Sequence, residues 1–178
     1  MNTECSVETG DGILLATSVT APGSGSYPVI IIRTVYGREG LSVLGKIMSR
    51  YDYATVIQDV RGSGDSSGVF GFIQQEPKDA IDTAKWVLNQ PWCDGNLAIL
   101  GISYLSAASI AIGVEFPKET KCAVWVTVPT CSEMLCFQSG ALRLHHTLPW
   151  VYSLPWRKTT SLTSFDTEMY KKTPLIEA

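Results

Sequence analysis

The chain has 178 residues, 45% of them hydrophobic and 17% charged, with a formal net charge of -3 and a pI near 5.4; that is ordinary globular composition for one domain with a core and argues against disorder. No run of like charges is present, which excludes a basic stripe for nucleic acid and a polybasic segment for a membrane surface. The first ten residues carry Glu4 and Glu8 without an apolar stretch, no segment is long enough to span a bilayer, and five irregularly spaced cysteines read as reduced thiols, so a soluble, cytoplasmic protein is expected.

Taken in chain order, apolar runs alternate with amphipathic stretches, the pattern of an α/β sheet. Ile13 to Val19 reads as a strand, and Asp11-Gly12 before it is a turn pair joining it to a strand around Cys5 to Glu8, a hairpin at the sheet edge. Pro28 to Thr34 holds Val29, Ile30, Ile31 and Ile32 in an unbroken row, which marks a central strand buried on both faces. A helix is expected over Leu41 to Tyr51, then a buried strand over Ala54 to Gln58 that turns at Asp59. Glu76-Pro77 opens the clearest helix, which must stop by Pro91; Ala80, Ile81, Ala84, Val87 and Leu88 share the face that covers the sheet. Leu97 to Leu100 is the next strand, Ser103 to Val114 a helix, and Cys122 to Val128 a sixth strand. From Pro129 onward helical signals around Met134 to His146 and the aromatics Trp150, Tyr152 and Trp156 do not read as a sheet layer.

Two serines compete for chemistry. Gly64-Asp65-Ser66-Ser67-Gly68 satisfies G-x-S-x-G to the letter, but a nucleophile elbow needs a strand before the serine and a helix N-terminus after it. Val69-Phe70-Gly71-Phe72 follows Ser66, so this stretch reads as a polar glycine-rich loop. Around Ser103 the context fits: strand Leu97 to Leu100, turn Gly101-Ile102-Ser103-Tyr104, helix from Leu105, with Gly101 and Ser106 small where the backbones approach. On these residues alone Ser103 is either a nucleophile or a helix N-cap.

Four blocks carry a resemblance: Arg33-Thr34-Val35-Tyr36-Gly37-Arg38, Gln58-Asp59-Val60-Arg61-Gly62-Ser63-Gly64-Asp65-Ser66-Ser67-Gly68, Gln90-Pro91-Trp92-Cys93-Asp94-Gly95 and Gly101-Ile102-Ser103-Tyr104-Leu105. In this order they resemble the family of cocaine esterase, X-prolyl dipeptidyl peptidases, α-amino acid ester hydrolases and glutaryl acylases, over residues 8 to 130 well and over the tail loosely. The resemblance implies an α/β-hydrolase sheet, incomplete here, with residues 1–130 the N-terminal part of the hydrolase domain and 131–178 the beginning of a helical cap. It implies Ser103 as nucleophile through an acyl-enzyme, and an oxyanion hole formed by the Tyr104 backbone N–H and the Tyr36 hydroxyl. It implies no cofactor, and a small ester, amide or short peptide as substrate. The family has proline where Val35 stands and glycine where Ser106 stands. Its triad acid and base lie further downstream, so neither is present at a family position in this chain. The alternative is therefore a truncated or degenerate member without catalysis, serving as a fragment or binding module, and a sheet lacking its last strands is expected to self-associate.

The remaining candidates read as structure. His145 and His146 are expected at the surface of a cap helix rather than as a base. Cys131, Cys136, His145 and His146 lack any C-x-x-C unit, so no metal site is expected. Gly62-Ser63-Gly64 has its third glycine at Gly68 and no helix opening there, against a dinucleotide fingerprint. Arg61 is expected to tie loops together through Asp65 or Asp79.

Overall fold

The computed structural model describes residues 2–129 and 136–154. Its main sheet has six strands: β1 (Asn2–Glu8), β2 (Leu14–Thr20), β3 (Tyr27–Thr34), β4 (Ala54–Asp59), β5 (Cys93–Ile102) and β6 (Thr120–Val126). They stand in the order β1-β2-β4-β3-β5-β6. β1 and β2 form the expected antiparallel hairpin, β2 runs antiparallel to β4, and β4, β3, β5 and β6 are mutually parallel.

The row of branched residues in β3 is explained by its position between β4 and β5. Successive side chains point to opposite faces, so Val29 and Ile31 join one core while Ile30 and Ile32 join the other. On the first face, α2 (Glu76–Leu88) lays Ala80, Ala84 and Val87 against Val56, Leu97 and Ile99. On the second, α1 (Ser42–Met48) presents Leu44 and Met48 to Ile30, Ile32 and Ile57. The predicted face of α2 is shifted slightly: Ile81 and Leu88 are half-buried, whereas Glu76, Asp79 and Thr83 are buried.

Two expectations are corrected. The single helix over Ser103 to Val114 is two, α3 (Tyr104–Ala107) and α4 (Ile110–Glu115). Ser109 Oγ donates to the Leu105 carbonyl at 2.7 Å, offering that oxygen an alternative to the helical ladder, and the Ala108 carbonyl at the break accepts from Arg33 Nη1 at 2.5 Å. In the tail, the stretch expected to be helical up to His146 is interrupted after Cys136. Phe137–Gln138 (β7) pairs with Ala141–Leu142 (β8) in a separate two-stranded ribbon, and the helix, α5 (Leu144–Ser153), follows. Ser139 and Gly140 both have positive φ, 52° and 80°, which a two-residue hairpin turn of type I′ requires. Met134 lies outside the described residues.

β6 forms one edge of the sheet with Cys122, Ala123, Val124 and Val126 exposed. No helix among the described residues is long and apolar enough to cross a membrane.

Candidate active site

Ser103 sits where β5 passes into α3, with φ 55° and ψ −121°. A non-glycine residue there costs on the order of 1–3 kcal/mol, a strain that surrounding contacts must hold. They are visible: the Ser103 N–H donates to the Val126 carbonyl at 2.8 Å, and the Ser103 carbonyl accepts from the Ser106 N–H at 3.0 Å. Ser106, where a glycine was expected from the resemblance, is buried, and its hydroxyl donates to the same Val126 carbonyl at 3.3 Å. The tight approach falls instead at Gly101, where a Cβ would lie 2.5 Å from the Ser106 nitrogen and 2.6 Å from the Leu105 carbonyl carbon. Val35 is fully buried beside Val60 and Tyr104.

Ser103 opens onto a cavity of about 100 Å³ lined by Tyr36, Ser103, Tyr104, Cys136, His146, Thr147 and Trp150. Tyr36 follows the C-terminal end of β3, its N–H held by Thr34 Oγ1 at 3.0 Å and its ring partly exposed. Tyr104 begins α3, so its backbone N–H belongs to the first turn, whose amides have no intrahelical acceptor. The three residues singled out from sequence, Ser103, Tyr36 and Tyr104, thus share one cavity. His145 and His146 are both exposed on α5, as expected, but His146 also lines this cavity.

Behind the cavity lies a buried polar network that sequence reasoning did not assemble. The Tyr104 hydroxyl donates to Glu76 Oε1 at 2.7 Å. Arg33, wholly buried, donates through Nη1 to Glu76 Oε2 at 2.8 Å and through Nε to Gln58 Oε1 at 2.9 Å. Burial pushes the Glu76 carboxyl above its ordinary range, with Arg33 and the Tyr104 hydroxyl pulling the other way. The Tyr104 phenol is driven far above its usual value by burial first and by Glu76 second, so it stays a neutral donor. The ring of Tyr104 meets Phe70, Phe72 and Trp150 at centroid distances of 5.9 Å.

Ser66 takes the structural role expected of it. It is buried, its hydroxyl donates to the Asp59 carbonyl at 2.7 Å and accepts from the Ala16 N–H at 2.8 Å, pinning the loop to β2. Gly64 is required by the same loop: at φ 50°, a Cβ would fall 2.3 Å from Asp59 Oδ2. Arg61 pairs with Asp79 through Nε at 2.9 Å and Nη2 at 2.6 Å, and also with Asp11. Asp65, the other partner considered, is taken by Arg38 at 2.8 Å. No cluster of His, Cys, Asp and Glu suited to a metal occurs among the described residues, and Cys131 lies outside them.

The sequence matches the family model of the X-Pro dipeptidyl-peptidases (S15 family) over residues 11–174. The chain belongs to this family. Cocaine esterase of Rhodococcus sp. (strain MB1 Bresler) is 36% identical over 102 residues, which are 53% of this chain and 18% of the esterase. An aminopeptidase from a marine sediment Thaumarchaeota archaeon superposes with a TM-score of 0.71 at 24% identity, covering 85% of this chain and 30% of that one. A CocE/NonD family hydrolase from Staphylococcus aureus gives a TM-score of 0.58 at 25% identity, over 67% of this chain and 26% of that one. The S15 chain described here therefore spans under a third of the length of each of these relatives and shares with them an α/β sheet.

Proposed function

We propose that Ser103 is the nucleophile of an ester- or amide-cleaving site, with the Tyr104 N–H and the Tyr36 hydroxyl receiving the oxyanion. The observation that carries this reading is the strained backbone of Ser103 at a strand–helix turn beside a cavity shared with both tyrosines. Such a turn thrusts the hydroxyl clear of the backbone and aims the first helical amide at the carbonyl oxygen under attack. Ser103 Oγ adds to the carbonyl carbon, the leaving alcohol or amine departs with a proton, and water releases the acid from the acyl-enzyme. The substrate class is a small ester or amide, or a short peptide, as the names of the relatives indicate. Residues 1–130 act as the front of the hydrolase domain and 131–178 as the start of its cap.

No triad acid or base is assigned within residues 1–178. A second reading, a chain without turnover of its own, is favoured by both histidines being exposed on α5. The two are separated by labelling with a fluorophosphonate probe, whose phosphorus is attacked by an activated serine. The proposal predicts slow labelling that survives Ser66→Ala and disappears in Ser103→Ala, because strain and oxyanion donors retain part of the rate without a base. No labelling of the unaltered chain would reject the proposal in favour of the silent reading. Labelling that persists in Ser103→Ala would reject Ser103. A loss confined to His146→Asn, and not seen in His145→Asn, would identify His146 as the base.

A further inference from the structure

We propose that Trp150 is a positioning residue for Tyr36: its indole fixes the direction in which the Tyr36 hydroxyl proton points. This inference rests on the assignment of Tyr36 to the oxyanion hole. Trp150 Nε1 and the Tyr36 hydroxyl oxygen are 3.0 Å apart, joining residues 114 positions apart in sequence. The indole nitrogen is a donor only, whereas a phenol oxygen both donates and accepts. The polarity of this bond is therefore fixed by chemistry: Trp150 donates and Tyr36 accepts.

A phenolic O–H lies near the ring plane, on one side of the oxygen or the other. With the indole N–H on one side, the proton of Tyr36 is left to the opposite side, and both residues line the cavity onto which Ser103 opens. A hydroxyl aimed before the reaction need not reorient as charge develops, which is the condition under which such donors contribute most. Donation to the phenol oxygen also polarises its O–H, since hydrogen bonds in a chain strengthen one another.

Trp150 is itself packed between other rings. Its ring stands edge-on to Phe72, with centroids 5.6 Å apart and planes at 84°, and lies tilted against Tyr104 at 5.9 Å. It packs with Val35, Val60, Tyr104, Ala108 and Leu154 in a core distinct from those that line the sheet. Trp150 stands on α5 and Tyr36 just beyond β3, so the bond couples the helix of the tail to the loop that would carry the oxyanion donor.

The test is a double-mutant cycle on the rate of fluorophosphonate labelling at Ser103, using Trp150→Phe, Tyr36→Phe and the pair. Phenylalanine keeps an aromatic ring and removes the N–H. Trp150→Phe is expected to slow labelling by about ten-fold when Tyr36 is present and by less than about two-fold when Tyr36 is already Phe, the non-additivity of two groups acting through one bond. Equal slowing in both backgrounds would make Trp150 a packing residue and overturn the inference, as would no slowing at all. A second measurement stands apart from reactivity: in a ¹H–¹⁵N spectrum the indole resonance absent from Trp150→Phe must shift in Tyr36→Phe. An unmoved resonance overturns the inference. If the unaltered chain does not label, the assignment of Ser103 and its oxyanion hole falls and this inference falls with it; labelling with additive variants removes the inference alone.

Discussion

Gly101→Ala separates a strained turn that must be tightly backed from one that merely connects two elements. A methyl group at position 101 would lie 2.5 Å from the Ser106 nitrogen, 2.6 Å from the Leu105 carbonyl carbon and 2.7 Å from its oxygen, against about 3.4 Å for ordinary contact. The nearest obstacles are backbone atoms, which cannot swing aside as a side chain could, so β5 and α3 must part by roughly 0.9 Å, the difference between 3.4 and 2.5 Å. Overpacking of this kind costs about 1–3 kcal/mol of stability. A displacement near 1 Å at a reacting group costs on the order of 100-fold in rate. Thermal denaturation and the fluorophosphonate labelling rate read these two effects separately. Ser106→Ala serves as the contrast, because it keeps the Cβ and removes the hydroxyl bond to the Val126 carbonyl and is expected to lower the labelling rate by less than about ten-fold. Gly101→Ala with an unchanged melting temperature and an unchanged labelling rate would refute the claim that close backing holds Ser103 in its conformation.

Four further outcomes are expected. Ser66→Ala strands the buried Ala16 N–H and costs about 1–3 kcal/mol in denaturant unfolding, without abolishing labelling at Ser103. Arg33→Met leaves Glu76 buried without its cation and the Ala108 carbonyl without its donor, and costs about 3–5 kcal/mol; an effect below about 1 kcal/mol would mean that the network is dispensable. Because the folded-state pKa of Glu76 lies above its unfolded value, its stabilisation is fully present below the unfolded pKa and is lost as pH rises through the folded one. The stability of the unaltered chain relative to Glu76→Gln should therefore fall from acid toward neutral pH; a rise would mean that the Arg33 charge outweighs burial. Finally, β6 is an edge strand whose only charge is Lys121 and whose Val124 and Val126 are exposed, so sedimentation velocity should show association of residues 1–178 that grows with concentration, and a monomer at all concentrations would contradict it.

The parts of the fold legible in the sequence are those in which one local pattern decides the outcome. Val29 to Ile32 could only be a strand covered on both faces, and the strand–turn–helix context separated Ser103 from Ser66 although the literal motif favours Ser66. What was not legible depends on distant partners. The role of Arg33 requires Glu76 and Ala108, 43 and 75 residues away, and nothing in its own neighbourhood marks it as a buried ion. The break between α3 and α4 is signalled only by Ser109, a residue that sits within many unbroken helices. The β7–β8 ribbon had a local cue in Ser139-Gly140, which the helical composition around it masked. Trp150 reads as one of several tail aromatics until the fold brings it to Tyr36.

The most direct test of Ser103 as nucleophile is to find which serine carries the probe. Tryptic cleavage places Ser103 in the peptide from Trp86 to Lys118 and Ser66 in the peptide from Gly62 to Lys78, and fragment ions separate Ser103 from Ser106 and Ser109. The account predicts the phosphonate on Ser103 alone; the adduct on Ser66, or on any other residue, would contradict it.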